Sequence, residues 1–414
     1  MRLHAGRSVA GVSLLAFVLS TIGGCLIGPR MLPASNSSYS DAVRVAQSEQ
    51  LLANLVRLHY HDLPLFLAVT DISTQFEING SGTIGGSVNG KPVGYSAGAG
   101  AGVGYSERPT ISFSILGGEA FQKRLLSPLD LGAISLLVES GWRVDRVLRL
   151  TVEQLNSLPN ARSASGPTPE IAPEYAGFIE AATLWEKLRG STLAETLYRT
   201  ERSSIGEPLP VAQVDGSALV AASTAGFEFE RAPQRNNSVQ LAKTERRLVL
   251  RFSPDSDRAP TVQRLRELLR LKPGERTFDV VTLDDRSFDA FDRWRPREQL
   301  AVDTRSLMGV LYYLSNGVEA PPEHVAAGLV TPTVSATGAP FSWKDVVGDL
   351  VTIHSSRHQP GNAAIAIEYR GYWFYVADDD RSTKSTFMLL SELFALQAGE
   401  LSRTKPVLTL PVGG

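Results

Sequence analysis

The stretch that most constrains the fold runs from Gln75 to Ser106, QFEINGSGTIGGSVNGKPVGYSAGAGAGVGYS. Between Glu77 and Glu107 its one charged residue is Lys91, inside the turn signal Asn89-Gly90-Lys91-Pro92. Side chains alternate on both sides of that turn. Before it, Phe76, Ile78, Ile84 and Val88 hold even positions, and after it Val93, Tyr95, Ala97, Ala99, Ala101, Val103 and Tyr105 hold odd ones. Period two means strands with one apolar face and one small or polar face. A hairpin closed at 89–92 pairs Val88 with Val93, Gly86 with Tyr95, Ile84 with Ala97, Ile78 with Val103 and Phe76 with Tyr105. All the apolar side chains then share a face, which a one-residue slip would scatter.

Three readings of this hairpin stand. It is a glycine-rich mobile flap, because glycine weakens strands. It lies on the protein's own sheet or on a neighbouring subunit. Or it enters a membrane, and then it cannot act alone, since open strand edges leave backbone groups unpaired in lipid. Barrels start at about eight strands, so the third reading predicts a ring of at least about four copies.

The N-terminus bears on the compartment. Arg2 and Arg7 precede an apolar run, Val9 to Ile22, too short for a comfortable membrane span. It ends in Ile22-Gly23-Gly24-Cys25, and Cys25 is the single cysteine of the chain. This resembles the lipobox of bacterial lipoproteins. The resemblance implies cleavage before Cys25, a diacylglyceryl thioether on its sulfur and an acylated amine. No thiol would then remain for a disulfide, a metal or nucleophilic catalysis. Leu26 follows the cysteine; the lack of Asp there favours the outer membrane, and two or three acyl chains give stable anchoring. Removing residues 1–24 takes away Arg2 and Arg7 and no acid, so the net charge moves from −2 to about −4. No basic face stands out, which argues against nucleic acid as a partner.

Along the chain, residues 25–40 read as a flexible tether. A first α+β domain is expected over 41–159, with the hairpin 75–106 protruding from it. A proline-rich linker covers 160–173, and a second α+β domain covers 174–414. Ser40-Asp41 caps a helix to about His59 with Val45, Leu52, Leu55, Val56 and Tyr60 on one stripe. Helices are expected at 119–126, 129–140, 174–189 and 305–315. Trp142–Leu150 reads as extended, and Thr151 opens a short helix with capping chemistry. Residues 200–245 read as largely irregular, and 247–283 as a β-α-β unit. Near the C-terminus, strands 363–369 and 372–376 join across Arg370-Gly371, a helix runs to about Ala398, and Val407–Leu410 is a last edge strand.

The segments ERPTISFSILGGEAFQKRLLSP, RSLMGVLYYLSNGVE and IEYRGYWFYVADDDRSTKSTFMLLSELFALQAGE are similar to an uncharacterised family of proteobacterial outer-membrane lipoproteins. That resemblance implies a location and no activity.

Chemistry is sparse. His59 and His61, with Asp62, would share a face on a strand, but no third metal ligand is marked. His354 and His358 have helical spacing in a loop-like context. Asp378-Asp379-Asp380 precedes a helix, where carboxylates cap free N–H groups. Gly85-Gly86 and Gly100–Gly104 lack the strand-then-helix setting of a phosphate loop, and no GxSxG elbow occurs. Neither metal nor cofactor is expected. The resulting expectation is a non-enzymatic, lipid-anchored outer-membrane protein of structural or assembly role. It would associate with itself or an envelope complex, as part of a multimeric pore or secretion complex. The alternative is a glycan- or cell-wall-binding protein or hydrolase using Tyr369, Tyr372, Trp373, Tyr375 and the acidic run.

Overall fold

The computed structural model describes residues 40–87, 96–191, 193–232, 237–283, 296–398 and 408–411, with backbone alone for 68–115 and for the last strand. Cys25, the tether, and the turn 89–92 with Val88, Val93 and Tyr95 lie outside the described residues. The fold is of α+β type, with helices and three sheets.

Helix α1 (40–59) is followed by the strands β1 (Leu67–Ser87) and β2 (Ser96–Ile115). Three helices come next, α2 (Glu119–Leu126), α3 (Leu131–Glu139) and α4 (Val144–Thr151), then the short strands β3 (Val152–Leu155) and β4 (Leu158–Pro159). Helix α5 (Ala176–Arg189) leads to β5 (Ala194–Pro210), α6 (Gly216–Thr224), β6 (Phe227–Arg231) and β7 (Ser238–Phe252). After α7 (Pro260–Leu269) come β8 (Thr277–Thr282) and β9 (Gln299–Thr304). The last third holds α8 (Leu307–Ser315), α9 (Pro322–Ala326), α10 (Lys344–Val347), β10 (His354–Ser356), β11 (Ala363–Tyr369), β12 (Tyr372–Ala377), α11 (Arg381–Ala398) and β13 (Leu408–Pro411).

The largest sheet runs β4-β3-β9-β8-β7-β5, with β6 added to β7. A second runs β10-β12-β11, and a third β1-β2-β13. The expected β-α-β unit at 247–283 is not one, because β7 and β8 pair antiparallel, Leu250 opposite Phe278. The parallel pair is β8–β9.

Two other expectations exchange places. Residues 144–151, read as extended, form α4, and Thr151, read as a helix start, ends it and leads into β3. The segment VDRVLRLT alternates roughly, yet Val144, Val147, Leu148 and Thr151 also fit i, i+3, i+4, i+7. Tertiary packing settles it, since α4 is buried on both sides. Val147 and Leu150 enter a first core, and Val144 and Leu148 a second. Residues 194–210 and 216–224, read as irregular in part, are β5 and α6.

The cores do not divide at 160–173. The first collects Leu52, Leu55 and Val56 of α1 with Leu311 of α8, Phe374 of β12 and Leu390 of α11, joining the two ends of the described chain. The second packs α4, α5 and α7 on the large sheet around Phe178, Phe252 and Phe278. The expected linker carries buried Asn160, Ala161 and Ala164. Its Asn160 Nδ2 donates to the carbonyls of Arg149 at 2.9 Å and Val152 at 2.7 Å.

One side chain ties these layers together. Arg305 is 0% exposed, and among the described residues no carboxylate is hydrogen-bonded to it. Its Nη1 donates to the carbonyls of Arg149 at 3.0 Å and Val152 at 2.6 Å, its Nη2 to that of Asn160, and its Nε to Ser165 Oγ at 3.0 Å. The guanidinium lies 4.1 Å from the Tyr313 ring centroid. It thus fills the C-terminal end of α4, where carbonyls lack helical partners and the dipole favours a cation.

Candidate functional site

β1 and β2 form an antiparallel ladder from Leu67↔Ile115 to Ser87↔Ser96, with a bulge between Val69 and Asp71. The pairing is displaced by two residues from that expected of a turn at 89–92. Ile84 faces Ala99 rather than Ala97, Ile78 faces Tyr105 rather than Val103, Gly80 faces Val103, and Phe76 faces Glu107. A pleat repeats every two residues, so a shift of two keeps the alternation, and the glycine-rich pattern fixes parity without fixing register. At the base, Leu116 N–H donates to the Phe66 carbonyl at 2.9 Å, and Phe66 packs against Phe121 and Phe394. β13 extends the sheet, pairing with Thr110–Phe113 of β2.

The C-terminal tyrosines and the acidic run find separate partners: Tyr369 and Tyr372 bond acids outside 378–380, Trp373 and Tyr375 are half-buried on β12, and Tyr375 lies 5.4 Å from the His354 ring. The turn Arg370-Gly371 has φ of 50° and 78°, as a tight hairpin requires. It brings Tyr369 and Arg370 onto Asp62 at the end of α1, with Arg370 Nη2 2.8 Å from Asp62 Oδ2 and the Tyr369 hydroxyl donating to the same oxygen. Tyr369 and Arg370 hold the Asp62 carboxyl below the usual range. Tyr60 Oη lies 2.7 Å from His324 Nδ1, and Tyr372 Oη donates to Glu323 Oε2 at 2.9 Å. Burial pushes the Tyr60 phenol up to about 12. Burial, with Arg370 beside it, pushes the His324 imidazole down. This cluster fastens α1, α9 and the β11–β12 turn. Sequence spacing could not reveal it, because Tyr60 and His324 are 264 positions apart.

The two histidine pairs separate. His59 is buried as the last residue of α1, whereas His61 is exposed with φ of 59°. His354 lies on β10 and bonds Glu319 Oε2 at 2.8 Å, and Lys344 takes the other carboxylate oxygen at 2.8 Å. His358 is exposed in a loop. Asp380 caps α11, accepting from Thr383 N at 2.9 Å, and Asp378 pairs with Lys384 at 3.1 Å. Among the described residues, no group of three or more His, Cys, Asp or Glu could hold a metal ion. Nor is any described helix long and apolar enough to cross a membrane. The chain matches no family model, no curated protein and no solved structure.

Proposed function

We propose that the chain is a lipid-anchored protein of the bacterial outer membrane, held by acyl chains on Cys25, with a structural or assembly role. In this reading the β1–β2 ribbon makes the intersubunit or membrane contacts of an oligomer, a multimeric pore or part of a secretion complex. The observation that carries it is the coincidence of a continuous ladder with an uncharged sequence. Ile78–Ser87 pairs residue for residue with Ser96–Tyr105, and neither segment holds an ionisable acid or base of ordinary strength. Ten residues at ~3.3 Å span ~33 Å, which at a tilt of ~40° covers the ~25 Å apolar band of an outer-membrane barrel. Among the described residues β13 covers β2 at 110–113, and in this reading further copies partner the remaining edges.

Detergent-extracted protein from native membranes, imaged by negative stain, tests this. Rings of about four or more copies are expected, and a monomer at all concentrations would refute the assembly. Cys25→Ser should abolish palmitate labelling and release the protein from membranes.

A further inference from the structure

We infer that the free edge of β11, with the groove between it and α1, takes an extended peptide of another protein as an added β-strand. That peptide carries apolar side chains at alternate positions and lysine or arginine between them. β11 ends its sheet, whose order is β10-β12-β11. The Arg370-Gly371 turn fixes which of its main-chain groups are free. Both residues have positive φ, and across such a two-residue turn the flanking pair, here Tyr369 and Tyr372, is hydrogen-bonded. Antiparallel pairs alternate, so Ile367 bonds Phe374, while Ala366 and Glu368 turn their N–H and C=O groups away from β12. Among the described residues, no main-chain group meets them on that side.

A groove of about 550 Å³ runs along this edge. Ile365 and Ile367 line it from one face of the strand, Ala366 and Glu368 from the other, and Val45 and Glu49 from α1. A space walled by residues of both faces lies along the strand's edge. It follows the chain from Ala363 to Glu368, about 20 Å at ~3.3 Å per residue, which is room for an extended segment of the same length. Native sheets protect their edges. β5 is studded with charge, and β10, at the opposite end of the β11 sheet, is three residues long. β11 has neither protection, since AAIAIEY holds one charged residue and no proline.

The walls select the chemistry of the added strand. Val45 is 44% exposed, although Leu52, Leu55 and Val56 of the same helix are buried. With Ile365 and Ile367 it offers an apolar strip to every second side chain of a strand laid there. The charge of the groove is acidic. Among the described residues, Glu49 and Glu368 have no cationic partner, while Arg44, the cation in the wall, pairs with Asp41 at 3.4 Å. Two unopposed carboxylates favour a basic segment.

Fluorescence anisotropy of the full chain with a labelled, blocked peptide of sequence Val-Lys-Val-Lys-Val-Thr tests this, and saturable binding is expected. Methylating alternate peptide nitrogens blocks strand pairing and keeps the side chains, so it should weaken binding at least about tenfold. Replacing both lysines of the peptide by glutamate should weaken it about tenfold. Ala366→Pro removes an outward N–H, a change that edge strands accept, and should weaken binding about three- to tenfold. Glu368→Lys should reduce the preference for the lysine peptide over the glutamate one. Independently of any variant, the wild-type amides of Ala366 and Glu368 should exchange freely in the chain alone and slow when the peptide is added. No saturable binding, equal binding of the methylated peptide, or unchanged exchange at those two amides would overturn the assignment. So would protection of both amides without peptide: rising with protein concentration, it would assign the edge to a second copy, and independent of concentration, to the chain itself.

Discussion

The molecule holds two long antiparallel strand pairs, β1–β2 and β5–β7, and their surface chemistry is opposite. β5 and β7 carry ten charged side chains over 32 residues. These form a lattice across the strands: Arg251 with Glu195, Arg247 with Glu201 at 3.2 Å, Arg199 with Asp279 at 3.2 Å, Arg202 with Glu228 at 2.5 Å. β5 ends its sheet, and charge on an edge strand discourages further pairing. Apolar exposure on this pair gathers toward its far end, at Ile205 and Leu209. The β1–β2 pair has charge only at its base, at Asp71, Glu77, Glu107 and Arg108. So the same chain shows what its long strands look like when they face water, and β1–β2 does not look like that. This contrast is what favours a partner or a bilayer over a mobile flap.

The contrast can be broken in four ways, of decreasing size. The water-facing pair belongs to a sheet fixed to the first core by Arg305. Arg305→Met would strand the α4 carbonyls and should cost on the order of 3–5 kcal/mol, read as a lowered denaturation midpoint. In the proposed reading the ribbon rests on a partner or a bilayer. Ala99→Arg should therefore weaken assembly or insertion by about 2–4 kcal/mol, while Ser203→Arg on β5 changes nothing measurable. Wild-type assembly by the Ala99→Arg variant would put the ribbon in the same class as β5–β7.

Acid separates the regions differently. His59 titrates near 6.5 unfolded and about 4 folded. Between those values the unfolded state binds more protons, so stability is full above pH 6.5 and falls as pH drops toward 4, by up to about 3 kcal/mol. Chemical denaturation across that range should show the slope in wild type and less of it in His59→Gln. The charge-free part of the ribbon has no group to respond. Smallest is Arg251→Ala, whose pair with Glu195 is 54% exposed on both sides. It should cost about 0.2–1 kcal/mol, shrinking in high salt, with no effect on assembly.

Much of the local structure was legible. Asp380 accepts from the Thr383 N–H to start α11, and Arg370-Gly371 turns β11 into β12. The α1 stripe Leu52, Leu55 and Val56 is buried, although Val45 from the same stripe is 44% exposed. What was misread had two local solutions. Residues 144–151 fit strand or helix, and Thr151 fits a cap or an end. The domain boundary was misplaced because prolines and small residues look like a linker whether or not neighbours enclose them. The contacts Tyr60–His324 and Arg370–Asp62 were missed for a related reason: their partners lie 264 and 308 positions apart in sequence.

By itself the sequence determined alternation, caps, turns and the silence of charge in the ribbon, because these depend on residues a few positions apart. Only the tertiary structure decided the two-residue register, the two faces of α4, the carbonyl cage around Arg305, and the burial of His59 and Asn316. Each is set by groups far apart in sequence, whose interaction appears only when packing removes water from between them.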